Sequence, residues 1–144
     1  MPSTELPMTP PILLPALALI CWTMVMWFWL YATRLPAMRA AGLHNFKNKS
    51  DLDGLPPRVR WVADNYNHLH EQPVLFYALV FYCQLAGTAD ATNLALAWTY
   101  VLLRVVHSVF QSRFNIVTIR FVIFCLASFT LMAVAVRNAL AALA

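Results

Sequence analysis

Charge is what this chain has least of. Of its 144 residues only 11% are charged, while 61% are hydrophobic; soluble domains average about 25% charged. No charged residue occurs from Leu6 to Thr33, from Gln72 to Ala89 or from Phe121 to Val136. A membrane-crossing helix needs about 20 predominantly apolar residues, and these runs meet or approach that. The scarcity excludes an ordinary soluble domain and points to an integral membrane protein. It also argues against reading the formal net charge of +4 as a nucleic-acid footprint. The basic residues lie mostly in loops, where membrane proteins keep them on the cytoplasmic side.

Cysteine is also sparse. Cys21, Cys83 and Cys125 each stand inside an apolar run, and an odd count of three does not make a disulfide framework. They read as small packing residues. The chain has neither an internal repeat nor a low-complexity tract. Its first apolar run is too long for a secretory peptide, has no basic residues before it and lacks a clear cleavage site, so it is expected to stay as a helix.

What remains is one domain, residues 1–144, with four helical segments. The first spans about 12–33, with Pro11 and Pro15 near its start, where proline is tolerated. Trp22, Trp27, Trp29 and Tyr31 thicken toward its far end in the manner of an interfacial belt. A polar loop follows over about 34–57, containing Gly42, Gly54 and the Pro56-Pro57 pair. The second helix, about 58–86, starts polar and continues apolar. Helices over about 93–112 and 117–140 complete an all-α, antiparallel four-helix bundle. Arg34, Arg39, Lys47, Lys49, Arg58, Arg60, Arg113 and Arg120 all fall on one side. The positive-inside rule makes that side cytoplasmic. The expected setting is a bacterial inner membrane with both termini periplasmic.

Two of these helices carry narrow polar stripes. Residues spaced by three, four and seven share one helix face. Asp64, Asn67, His68 and Glu71 satisfy this on the second helix; Tyr100, Arg104, His107, Ser108 and Gln111 satisfy it on the third. Arginine at membrane depth costs about 2.5–3.5 kcal/mol on insertion scales, so Arg104 must face protein or a wet cavity. Glu71, at the edge of an uncharged run, is its expected partner. Such a pair either fixes helix register or lines a polar ligand site; the sequence leaves both readings open. Metal chelation is disfavoured, because "HLHE" sets His68 and His70 two residues apart, on nearly opposite helix faces. His68 and His107 are read instead as hydrogen-bonding members of a polar cavity, His70 as interfacial and His44 as a loop residue. Arg120, just before the last apolar run, is either an interfacial snorkelling arginine or an anchor for an anion or thiolate.

The layout and the segment "RVVHSVFQSRFNIVTIR" resemble the MAPEG family (membrane-associated proteins in eicosanoid and glutathione metabolism). Arg104, His107, Ser108 and Arg120 fall on that family's Arg-Val-x-His-[Ser/Thr] segment and its second arginine. "NHLHEQP" is similar to its Asn-x-x-Glu followed by proline, with Glu71 on the glutamate. The resemblance implies a homotrimer with sites between subunits. Glutathione would be the thiol cosubstrate, and a lipophilic small molecule would enter from the membrane lipid. Arg120 would then activate the thiol. Glu71, His68, Asn67, Arg104, His107, Ser108 and Gln111 would form the cosubstrate site, and no metal is implied. Four positions depart from the family's eicosanoid enzymes. Asp64 replaces an arginine, His68 an asparagine (Asn67 stands one place away), Gln111 a tyrosine and Phe121 a serine. The implied function is a glutathione- or other thiol-dependent transferase or peroxidase acting on lipophilic electrophiles. The alternative is a non-catalytic scaffold of the same fold that binds lipid or a partner.

Overall fold

A computed structural model describes residues 11–45 and 47–143. Among the described residues five α-helices run in series: α1 (Leu13–Ala40), α2 (Pro57–His68), α3 (Gln72–Leu85), α4 (Ala91–Arg113) and α5 (Val117–Leu143), with a short 3-10 turn at Lys49–Leu52 before α2. α1, α4 and α5 are each long and apolar enough to cross a membrane. α2 and α3 follow each other closely and both pack against α1 and α4, while α5 packs chiefly on α4. The arrangement is the expected all-helical bundle with one of its four segments broken.

The break corrects the expectation of one continuous second helix. Pro73 has no N–H to give the Leu69 carbonyl, and its ring clashes with that carbonyl in a straight helix. The chain therefore leaves α2 at Leu69 and re-enters helix at Gln72, with Glu71 at φ −92°, ψ −95°. Pro73 then sits in the first turn of α3, where proline is favoured. The break frees backbone carbonyls in the middle of the bundle.

α1 also departs from expectation, since it runs on through Pro36 to Ala40. A proline inside a helix removes one bond and bends it, and here the helix continues for more than a turn afterwards. It ends where glycine allows a left-handed residue. Gly42 has φ +68°, the Leu43 N–H reaches the Met38 carbonyl at 3.0 Å and the Gly42 N–H reaches Arg39 at 3.1 Å. These are the paired bonds of a Schellman cap. The basic loop consequently begins later than residue 34.

Burial is arranged as a lipid surround requires. Phe28 and Leu102 (64% exposed) and Phe121 and Phe129 (65%) point outward. Arg104, His107, Ser108 and Gln111 are buried inside. Leu19, Met26, Phe76, Val80, Tyr100 and Ala127 form the apolar core at mid-bundle. All three cysteines are free; Cys83 packs in the core, Cys125 is partly buried and Cys21 faces outward.

A polar clamp closes the end of the bundle away from the basic loop. Asp90 caps α4 by accepting from the Asn93 N–H at 2.7 Å, and Arg137 of α5 donates to Asp90 at 2.5 Å and to Asn93 Oδ1 at 3.3 Å. Thr88 donates to Asn138 at 2.5 Å. The hydrogen bond from Asn93, then the Arg137 charge, holds the Asp90 carboxyl below its ordinary value of 3.8. A depressed folded-state value adds stability above that ordinary value and loses it as pH falls through the folded one. Asp90→Asn is therefore expected to lower the melting temperature at neutral pH, with the gap to wild type closing as pH drops below 3.8. Thermal denaturation in detergent across that range measures it.

Candidate functional site

The site grows from the broken second segment. With the helix interrupted, the His68 carbonyl has no intrahelical partner, and Arg104 Nη2 donates to it at 2.8 Å. His70 does the same for its own turn, with Nδ1 on the Tyr66 carbonyl at 2.8 Å. Arg104 is 1% exposed, and its guanidinium carbon stands 5.9 Å from the centre of the Phe124 ring, within range of cation–π attraction. Its Nε and Nη1 have no partner among the described residues. This corrects the expected pairing: within the chain, Arg104 clamps backbone, and Glu71 bonds His68 Nδ1 at 3.2 Å instead. The carbonyl freed by the break between α2 and α3 is a neutral acceptor held at fixed geometry, whereas the Glu71 side chain is 64% exposed and reaches outward.

Above this clamp two small cavities adjoin, each about 200 Å³. The first is polar, lined by Asp64, Asn67, His68, Glu71, Gln111 and Arg120. The second has mainly apolar walls, formed by Val117, Phe121 and Phe124 beside His68, His107 and Arg120. His68 and Arg120 line both. The His107 ring lies edge-on to His68, with centroids 6.3 Å apart, and 6.2 Å from Phe124. Of the residues singled out in the sequence, Asn67, His68, Glu71, His107, Gln111 and Arg120 thus converge on one region.

Arg120 is positioned by the α4–α5 turn. Asn115 adopts φ +52°, a left-handed conformation that asparagine tolerates better than most residues. Its side-chain oxygen accepts from Arg120 Nη1. The buried Arg120 Nε has no partner among the described residues. Asparagine in the short "SRFN" turn is the sequence signal that would have identified this support. Gln111 is 1% exposed, and neither end of its amide has a partner among the described residues.

Three residues of the α4 stripe, Tyr100 in the apolar core and Arg104 and Ser108, lie away from the cavities. Arg104 lies beneath them, as described. Ser108 turns toward α1 and α2, where its hydroxyl accepts from Trp22 Nε1 at 3.0 Å and Asn65 Nδ2 at 2.7 Å. Asn65, itself 1% exposed, escaped the stripe reading because it sits one position from the polar face of α2. A second cross-bundle link was also missed. Tyr100 donates to Gln72 Oε1 at 3.3 Å, and Gln72 Nε2 donates to Ser128 at 2.7 Å, tying α4, α3 and α5 together.

Ser108→Ala removes the shared acceptor and leaves two donors unmatched. A loss of about 1–3 kcal/mol is expected, read as a lower unfolding midpoint in detergent, while the cavity residues keep their places.

No curated protein and no solved structure matches the chain. A family model described as the MAPEG family matches residues 12–140. With a match over most of its length, with an all-helical fold and with three helices built to cross a bilayer, the chain is an integral membrane protein that belongs to the MAPEG family.

Proposed function

We propose that the protein is a thiol-dependent transferase or peroxidase that acts on lipophilic electrophiles at the cytoplasmic side of the membrane. The observation that carries this reading is that Arg120 lines both the polar and the apolar-walled cavity. A polar thiol in one chamber and an apolar partner in the other would meet at its guanidinium. Glutathione is the first thiol to consider, and a homotrimer in a bacterial inner membrane is the proposed assembly and setting.

The chemistry follows from the side chains. Arg120 keeps one N–H on Asn115, and as a wall of both chambers it presents its charge to an anion there. A cation beside a thiol favours the thiolate, which is the nucleophile. The sulfur would attack an electrophilic carbon, forming an S–C bond, while the displaced group or opened ring takes the electron pair and a proton. With a hydroperoxide the sulfur would attack oxygen, the O–O bond would break and an alcohol would leave; a second thiol would then attack the sulfenic sulfur, forming a disulfide as the S–O bond breaks and water leaves. Phe121 and Phe124 would hold the apolar partner out of water. His68, His107, Glu71, Asn67 and Gln111 would bind the polar body of the thiol.

Arg120→Ala should lower thiol-dependent turnover about 10²- to 10³-fold, the usual loss on removing a group that stabilises developing negative charge. Arg120→Lys should not restore it, because a single ammonium cannot hold Asn115 and also present a planar fork. The test is turnover of wild type and both variants with glutathione and a panel of lipophilic electrophiles and hydroperoxides. Undiminished activity in Arg120→Ala would remove Arg120 from the reaction. A wild type inert across the panel would favour the scaffold reading, to which the acidic Asp64 on the polar wall lends support.

A further inference from the structure

The polar cavity has a charge pattern of its own. Asp64 and Glu71 line it together with Arg120, so its fixed side-chain charges are two acidic to one basic, with His68 beside them. Asp64 and Asn67 also line a neighbouring cavity of about 130 Å³, toward the basic loop, where Arg34, Asp53 and Arg60 join them. Across the two chambers three arginines and three carboxylates balance. Asp64 is the charged residue common to both, and it is exposed on α2 without an ion-pair partner within 4.0 Å among the described residues.

An acidic pair alone would be only a solvated face. Gln111 makes this one a site. It is 1% exposed, it lines the same cavity, and both its amide oxygen and nitrogen lack protein partners among the described residues. A buried amide left open at both ends is costly unless something supplies a donor and an acceptor. A peptide-like amide offers both. Such a ligand would place a cationic group against Asp64 and Glu71, an amide at Gln111 and an anionic sulfur at Arg120.

Glutathione meets these requirements poorly. It has one ammonium and two carboxylates, and a carboxylate near Asp64 or Glu71 is repelled. We propose that the polar cavity selects an amide-containing thiol that carries an ammonium group and fewer carboxylates than glutathione, and that Asp64 sets this choice. The proposal rests on the thiol-dependent reading above and names the class of thiol that reading leaves open.

Calorimetric titration of the full-length protein in detergent, alongside turnover, tests it with three probes of nearly equal size. These are glutathione, its monoethyl ester (one carboxylate masked, ammonium kept) and N-acetylglutathione (ammonium masked). The ester should bind tighter than glutathione by roughly fivefold, the scale of an ion pair still reached by solvent, and the N-acetyl compound should bind weakest. Asp64→Asn should shrink the preference for the ester, and Asp64→Arg should reverse it. Because Asp64 is exposed, neither substitution disturbs the core, and the wild-type order of affinities stands as a test without any variant. A wild type that prefers glutathione to its ester, yet turns over with it, would overturn this proposal and leave the thiol-dependent function standing. An unchanged order in Asp64→Arg would likewise overturn it. Absence of both binding and turnover with all three probes would overturn the two together.

Discussion

The contact on which the rest depends is the hydrogen bond from the Arg104 guanidinium to the His68 carbonyl, 2.8 Å long. Each partner explains the other. A buried arginine in a membrane bundle requires an acceptor, and a helix broken in the same bundle leaves carbonyls that require a donor. Pro73 supplies the break, and α4 supplies the arginine at the matching depth. Without the break, Arg104 would need a buried carboxylate; without Arg104, the freed carbonyl would face an apolar interior. Each irregularity meets part of the other's demand: the freed carbonyl gains a donor, and the buried cation gains one acceptor.

The same break shapes the cavities. Ending α2 at His68 and restarting at Gln72 turns His68 and Glu71 toward each other and lets Glu71 reach outward instead of lying along a continuous helix. His68 then stands between the polar and apolar-walled chambers with Arg120 opposite in sequence but adjacent in space. Below, the layer formed by Arg104 and Phe124 separates these chambers from the Tyr100–Gln72–Ser128 link. At the far end, Asp90, Arg137, Thr88 and Asn138 fasten α5 to the α3–α4 turn. Polar groups thus act in separate layers along an apolar bundle: a clamp, a cross-link, a buried cation and an open site.

Much of this was legible in the sequence, for physical reasons. Uncharged runs can persist only where water is absent, so the spans of α1 and α5 were plain; the uncharged run from Gln72 became the shorter α3, and α4 is long and apolar enough to cross although it holds Arg104. A stripe at helical spacing can survive in such runs only by facing protein, so Arg104, His107 and Gln111 were correctly read as interior. Spacing does not say which neighbour a stripe faces, however. Residues on one face still fan out enough to meet two helices, and so Ser108 reached Trp22 and Asn65 while Gln111 reached the cavity. Within the chain Arg104 bonds backbone and not Glu71 directly, a contact the sequence hides because side-chain charges are visible in it and a freed backbone carbonyl is not. Pro73 was the available clue to that carbonyl. Asn115, likewise, was visible as a turn residue, but its grip on Arg120 depends on a left-handed backbone that only the folded turn displays.

The central claim is that the Arg104 clamp organises the proposed thiol site, whose cavities Arg104 does not itself line. Isothermal titration of glutathione monoethyl ester against the wild type and an Arg104→Met protein of intact helical content tests this most directly. The account predicts measurable binding by the wild type and its loss in Arg104→Met; wild-type affinity in that variant would contradict it.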